Sequence, residues 1–414
     1  MLRQLVDLPE ATSAEPLRIR DPAKFDTLLR QADRVCRFPA KMSPRLARWF
    51  LSTAIDSNRL QTFHDPLCGS GTTTLVARAF GLPVSASDIS YAATIITKAK
   101  ITRLGDSKIR EMKNFPTSID LSFSSQPRAK WEHWQIWYKG RVLRALEEIR
   151  DAIFDSAKEP FFPHLLTCLF QTSWEVSSAD KGVIVPTRSS FSKRARNISP
   201  KSVLALFRAR LDRIELAQSA LAQLSVPMTR CRVIRGSALR EYSWPRDSVD
   251  ICLTSPPYGC GVDYERAFRL QMKLCEVVPE VSKESIIGRH SRLSSDLELP
   301  SYLRKHWVSK LYKAKDIRVK MFLQYLSDMS EFMNKCSSHM NDNGKLCIII
   351  GNPQIAKRRI SLVEILVKIA KENGFRLQAK PKADRIPSRI QNFAPRSATG
   401  FIRAEFLLTF KLKT

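Results

Sequence analysis

Residues 60–88 most limit what this chain can fold into: LQTFHDPLCGSGTTTLVARAFG, followed at once by LPVSASD. A short β-prone run (Gln61 to His64) meets Asp65-Pro66, and a loop of small residues then feeds a helix starting near Thr72 that Gly81 closes. A second short strand, Pro83 to Ala86, ends on Asp88. Glycines let backbone N–H groups approach a ligand, and a helix N-terminus favours electron-rich groups. Asp65, at the carboxyl end of its strand, is placed to accept from an amine, and Asp88 to accept from both hydroxyls of a ribose. Strand, glycine loop, helix, strand, acid is half of a nucleotide-binding α/β unit. The absence of Gly-Lys-Ser/Thr after the loop argues against a triphosphate site.

The α/β rhythm resumes only far downstream. Strands are expected at Arg232–Arg235, Val249–Leu253 and Lys345–Ile350, and a helix over ISLVEILVKIAKENGF ends at Asn373-Gly374. RLQAKPKADRI and IRAEFLLTFKL read as two antiparallel strands. The predicted fold is therefore α/β: a doubly wound seven-stranded sheet with an antiparallel terminal hairpin. Roughly 180 residues separate Gly71 from Ser255, about twice what βα units need. The surplus, about 100 to 228, reads as a largely helical insertion, with WEHWQIWYKGRVLRALEEIRDAIF its clearest helix. The expected division is a lead-in over 1–35 with one short helix, a catalytic domain over 36–100 and 229–414, and an inserted target-recognition region over 101–228. In FPAKMSPRLARWF, Ser43-Pro44 starts a helix with proline in its first turn.

The run ICLTSPPYGC, residues 251–260, ends an apolar strand in two prolines. Proline has no N–H for a sheet ladder, so the chain leaves as a stiff hook. An exocyclic amine of a nucleobase is a poor nucleophile because its lone pair is delocalised into the ring. An acceptor bonded to that amine favours a tetrahedral nitrogen with a usable pair. The Ser255 side chain and the Pro256 carbonyl can serve, held outward by the Pro256-Pro257 pair with little entropy to lose. Tyr258 offers a ring face for a base swung out of the duplex. No Pro-Cys dipeptide occurs, so the chain does not resemble the family that methylates carbon 5 of cytosine, whose cysteine nucleophile lies in such a dipeptide.

DPLCGSGTT followed by TSPPY resembles the two signature motifs of the S-adenosylmethionine-dependent DNA amino-methyltransferases, which modify cytosine N4 or adenine N6. The resemblance covers the sheet-forming segments, in unpermuted order, and implies a sheet of the Rossmann-like methyltransferase type with S-adenosylmethionine as cofactor. It further implies that Asp65, Pro66, Cys68, Gly69, Gly71 and Thr72 line the methionine end, that Asp88 binds the ribose, and that Phe38 matches the third cofactor-side motif. Gly236-Ser237-Ala238 falls where the family has a small residue followed by an acid near the adenine; Ser237 departs from that acid. Serine at position 255, where relatives carry Asp or Asn, resembles the cytosine-N4 branch. GVDYERAF is similar to a group with Asp-Tyr-x-Arg after the hook, which places Tyr264 and Arg266 as candidates for the base pocket. The expected activity is N4-cytosine methylation of double-stranded DNA. The alternatives are adenine-N6 methylation, guanine-N2 methylation of transfer RNA, and an inactive nucleic-acid-binding protein on the same fold. A cognate restriction endonuclease is a possible partner of such an enzyme.

Charge points the same way. Lys+Arg 68 against Asp+Glu 40 leaves +28, an excess that calls for a polyanion, nucleic acid before an anionic membrane. Basic residues concentrate at 181–213, and Arg188, Lys193, Arg194 and Arg196 are expected to grip phosphates. The stripe Trp131, Trp134, Trp137, Tyr138 has helical spacing and reads as core packing. Nine cysteines without Cys-x-x-Cys and six isolated histidines suggest neither a disulfide framework nor a metal site. With no run near the roughly 20 apolar residues of a membrane span and no leader pattern, the expected location is cytoplasmic.

Overall fold

The computed structural model describes residues 21–39, 41–56, 60–119, 126–157, 159–183, 185–187, 198–228, 231–246, 248–259, 264–277, 286–288, 317–355, 358–380, 382–385 and 404–413. Two helices, α1 (Pro22–Asp33) and α2 (Pro44–Ala54), lead into β1 (Phe63–Asp65), α3 (Thr72–Ala79), β2 (Val84–Asp88) and α4 (Tyr91–Ile101). Helices α5 (Asp106–Asn114), α6 (Gly140–Ser156), α7 (Phe162–Val176) and α8 (Pro200–Gln223) follow. Then come β3 (Arg232–Arg235), β4 (Val249–Thr254) and the short helices α9 (Tyr264–Ala267) and α10 (Arg269–Leu274). A long helix, Ile317–His339, runs into β5 (Met340–Gly351). A small hairpin of β6 (Gln354–Ile355) and β7 (Arg358–Arg359) precedes the helix Leu362–Glu372. The chain ends with β8 (Phe375–Leu377), β9 (Lys382–Arg385) and β10 (Ala404–Leu412).

The main sheet has the order β3-β2-β1-β4-β5-β10-β8, with β9 also on β10. β3, β2, β1, β4 and β5 are parallel, and β10 runs antiparallel to both β5 and β8. This is the doubly wound, Rossmann-like sheet of the methyltransferase type. Its edge is one strand more finely divided than expected. RLQAKPKADRI forms two pieces, β8 facing Phe410–Leu412 and β9 facing Ala404–Leu407.

Alternate residues of the central strands serve opposite layers, as a strand's period of two requires. Ile251 and Leu253 of β4 and Cys347 and Ile349 of β5 pack with Leu29, Leu51 and Val76 from α1, α2 and α3. Cys252, Leu346, Ile348 and Ile350 pack with Phe322, Met329, Leu366 and Ile369 from the helices Ile317–His339 and Leu362–Glu372. β4 is buried at every residue, which explains the apolar run Ile251-Cys252-Leu253 at its centre.

The helices of 101–228 share a core with the sheet unit. Ala92, Ile95 and Ala99 of α4 pack with Leu146, Leu166, Leu169 and Phe207 of α6, α7 and α8. The far end of α8 joins the sheet's own layer through Ala220 and Leu221. The predicted helix across WEHWQIW is not present. His133 adopts a left-handed φ of 59°, Trp134–Ile136 form one 3₁₀ turn, and the helix starts only at Gly140. A spacing of three suits a 3₁₀ turn as well as an α-helix. The tryptophans pack as expected, half-buried against the α6–α8 core, but from a turn. Among the described residues no helix is long and apolar enough to cross a membrane.

Candidate active site

Because β1 and β4 are parallel neighbours, with Phe63 beside Ile251 and His64 beside Cys252, the segments that follow them leave the same edge of the sheet. Asp65 ties the two together. Its Oδ1 accepts from Thr254 Oγ1 at 2.7 Å and from the Leu67 N–H at 3.1 Å, and its Oδ2 accepts from Thr73 Oγ1. The carboxylate is buried, and burial raises it to about 6 against the opposing pull of those three donors. One acid thus joins the glycine loop, the start of α3 and the last residue before the hook.

The glycine loop turns through two left-handed residues, Gly69 (φ 49°) and Gly71 (φ 73°). Its backbone is pinned from below by Cys68 N–H on the Ser87 carbonyl (3.0 Å) and Gly71 N–H on the Cys68 carbonyl (2.7 Å). Phe38 lies over it, its ring edge 3.4 Å from where a Cβ on Gly69 would sit, and packs tilted by 38° against Phe268, the residue before α10, with ring centroids 5.3 Å apart. Asp88 accepts from the Gly69 N–H through Oδ2 and from the Ser90 N–H through Oδ1, each at 2.8 Å. Among the described residues it pairs with no cation, and burial outweighs the two N–H donors, raising it to about 6. A half-buried acid with lone pairs to spare, beside a tight glycine turn under a phenyl ring, is an arrangement that fits a nucleoside diol.

Several residues expected on the cofactor side turn inward. Thr72 is buried and donates to Asp33 Oδ1 at 2.8 Å, while Lys100 Nζ reaches the same oxygen at 2.7 Å. Ser237 is 2% exposed, and its hydroxyl accepts from the Leu239 N–H, closing a turn. The Cys68 thiol packs beneath the loop 3.4 Å from Thr97 Oγ1, with burial pushing it well up. Pro66 and Gly71 are buried as well. Phe38, Leu67, Gly69 and Asp88 are loop-side residues that keep some exposed surface.

In the hook, Ser255, Pro257 and Tyr258 are partly exposed and Pro256 is buried. Ser255 Oγ lies 3.3 Å from Tyr258 Oη, and Tyr258 donates at 2.7 Å to Oε1 of Glu405. Gly259 closes the hook with φ 72° and its N–H on the Pro257 carbonyl. Neither Glu405 nor the Asp33–Lys100 pair figured in the sequence reading. A signal for Glu405 existed: an antiparallel last strand begins at the carboxyl edge of its parallel neighbours, so an acid early in RAEFLLTF lands at the site.

Of the nucleic-acid candidates, Arg188, Lys193, Arg194 and Arg196 lie outside the described residues. Tyr264 opens α9, and Arg266 is exposed on it. The approach to the basic segment does adjoin the site. Arg269 donates to the Pro186 carbonyl at 2.7 Å and lies 4.9 Å from the Trp137 ring, while Arg37, next to Phe38, donates to the Lys181 carbonyl at 2.9 Å. The described cysteines are all free, and among the described residues no three His, Cys, Asp or Glu gather as a metal cage.

No family model matches the chain. It is 24% identical over 238 residues to the type II methyltransferase M.MvaI of Kocuria varians, covering 54% of this chain and 52% of that protein. The chain thus spans about half the length of this curated relative. Two solved structures resemble it at 11% identity. They are TrmN from Thermus thermophilus (TM-score 0.32, 93% of this chain and 52% of that one) and the rRNA methyltransferase aviRa from Streptomyces viridochromogenes (TM-score 0.34, 96% of both).

Proposed function

We propose that the chain is an S-adenosylmethionine-dependent methyltransferase acting on an exocyclic amine in nucleic acid, cytosine N4 of DNA first. The observation that carries this is the opening of the glycine loop, with Asp88, and the Ser-Pro-Pro-Tyr hook on one edge of the sheet, joined through Asp65 and Thr254. The excess of +28 suits a polyanionic substrate, and the relative M.MvaI is a methyltransferase. Phe38, Gly69 and Asp88 hold the cofactor, whose sulfonium methyl is the electrophile. Asp65 acts as the brace between the two loops, since its oxygens are engaged within the protein. Ser255 and the Pro256 carbonyl accept from the target amine, and Tyr258 stacks on the base. Arg188, Lys193, Arg194 and Arg196 are assigned to phosphate contact, and Tyr264 and Arg266 to the base.

Incubation with methyl-labelled S-adenosylmethionine and either plasmid DNA or transfer RNA, followed by nucleoside mass spectrometry, tests this directly. N4-methylcytosine in the DNA is the expected product. Label in guanine of transfer RNA, in adenine, or nowhere would overturn the assignment at a different level in each case.

Tyr258→Ala should slow transfer at least about tenfold, since one base–aromatic stack is worth about 1–3 kcal/mol. Cofactor affinity by calorimetry should stay unchanged; full turnover would remove Tyr258 from the base pocket.

Asp88→Asn should cost about 1–3 kcal/mol of cofactor affinity through lost charge-assisted hydrogen bonds. Because the Asp88 carboxyl is raised to about 6, it is protonated below that pH, so wild-type affinity should weaken as pH falls through about 6. The Asn variant should lack this dependence. An identical pH dependence in both proteins would mean that Asp88 does not touch the ribose.

A further inference from the structure

Position 255 raises a chemical problem that the structure answers. A carboxylate there could accept from the target amine and take up the proton the amine must lose. A serine hydroxyl can accept, but it is no base near neutral pH. The hydrogen bonds around Ser255 have a fixed sense. Tyr258 has a single hydroxyl proton and gives it to Glu405 Oε1 at 2.7 Å. The 3.3 Å approach of Ser255 Oγ to Tyr258 Oη must then be bridged by the serine proton. With its proton committed toward Tyr258, Ser255 Oγ has only lone pairs to offer a base amine. Every donor in the chain points toward Glu405.

We infer that Glu405 is the proton acceptor of the reaction, reached from the target amine through Ser255 and Tyr258, and supplies from β10 the carboxylate that the hook lacks. Glu405 is half-buried and pairs in register with Gly351, the last residue of β5, at the carboxyl edge where the hook leaves the sheet. The inference rests on the proposed methyl transfer.

The balance is simple. The amine's lone pair forms the new carbon–nitrogen bond, the carbon–sulfur pair returns to sulfur, and the methylated base nitrogen is left with a positive charge and one proton too many. That proton passes to Ser255 Oγ, the serine proton to Tyr258 Oη, and the tyrosine proton to the Glu405 carboxylate. The base ends neutral, both hydroxyls end as they began, and Glu405 discharges its proton to water. Glu405 therefore acts through other groups, as a positioning residue and terminal base.

The test compares Glu405→Gln, Glu405→Asp and Tyr258→Phe with the wild type in single-turnover methylation of duplex DNA across a pH series. Glutamine keeps a carbonyl oxygen for Tyr258 but cannot take up the proton. Glu405→Gln should lower the rate about a hundredfold, within the range for one general base. With cofactor saturating, so that the pH dependence of binding at Asp88 does not enter, it should also flatten the fall in rate on the acid side. Glu405→Asp should recover part of the rate and restore the acid limb. Tyr258→Phe should lose a similar factor, and the double variant Tyr258→Phe/Glu405→Gln should be no slower than the slower single variant, as for members of one chain. Cofactor affinity should stay at the wild-type value throughout. A readout independent of turnover is the ¹³Cζ resonance of labelled Tyr258, which should move in Glu405→Leu as its hydrogen bond is lost.

Wild-type rate and pH profile in Glu405→Gln, or multiplying effects in the double variant, would overturn the relay while leaving the methyltransferase reading in place. A wild-type protein that methylates no base, with the Tyr258 resonance still responding to Glu405, would overturn the functional reading and the relay with it. Should Glu405→Gln melt early, Glu405→Asp and Tyr258→Phe carry the same comparison.

Discussion

Asp33→Ala should lower the folding free energy by about 3–5 kcal/mol, the cost of stranding one member of a buried ion pair. Lys100 has no exposed surface, and among the described residues its ammonium lies 2.7 Å from Asp33 Oδ1 and 3.4 Å from Thr72 Oγ1. Burial pushes the Asp33 carboxyl up, but the Lys100 and Lys41 ammoniums outweigh it and hold it below its usual value. Burial pulls Lys100 down to about 8 against the attraction of Asp33. Removing Asp33 leaves burial acting almost alone, so Lys100 should shed its proton more readily in the folded variant. A depressed lysine makes the folded state bind fewer protons than the unfolded chain, so stability is recovered as pH rises. The deficit of Asp33→Ala, read from urea titrations, should therefore shrink toward alkaline pH. Asp33→Leu with Lys100→Met should return most of the loss, since replacing both charges by apolar groups is often neutral or better. By contrast, Lys108→Ala, which breaks an ion pair between half-exposed side chains, should change stability by less than about 1 kcal/mol. A 3–5 kcal/mol loss that persists in the double variant would mean that packing, not charge, is what Asp33 contributes.

This pair also shows where the sequence stops speaking. Local chemistry was legible. The glycine loop, the acid ending the next strand and the proline hook each announce themselves within a few residues, and their strands lie where expected along the chain. Thr72 was placed at the right loop, yet its hydroxyl faces Asp33, because α1 brings a carboxylate from 39 positions away to the helix start. Nothing near Thr72 in the chain reports that. Glu405 is 147 positions from Tyr258, and only the register of β10 beside β5 brings the two together. The tryptophan stripe failed differently. A spacing of three fits two kinds of turn, and the left-handed His133 that separates them carries no glycine to mark it. Side-chain direction depends on long-range packing, so the motifs named the site but not which atoms face it.

Gly71→Ala should be the most damaging single-carbon change in the loop, costing about 2–5 kcal/mol and abolishing measurable cofactor binding. Two effects add. The φ of 73° is left-handed, which costs an L-residue roughly 1–2 kcal/mol. A Cβ there would also stand 2.7 Å from Thr97 Oγ1, 2.9 Å from its Cγ2 and 3.0 Å from its Cα, so α4 itself must move. Overpacking of that kind costs about 1–3 kcal/mol. Displacing Thr97 has a local consequence too, since its hydroxyl donates to the Gly69 carbonyl at 3.2 Å and touches the Cys68 thiol. Gly81 supplies the control. Its φ of 79° is just as left-handed, but a Cβ on it meets nothing within 4 Å. Gly81→Ala should therefore pay only the backbone strain and keep full cofactor affinity. Thr97→Ala should partly rescue Gly71→Ala by removing two of the three close atoms, so that crowding against the α4 backbone and the strain remain. Melting curves and calorimetric titration with S-adenosylmethionine on these four variants separate strain from crowding. If Gly71→Ala behaved like Gly81→Ala in both, the glycine loop would not be seated on α4, and the cradle assigned to the cofactor would lose its floor.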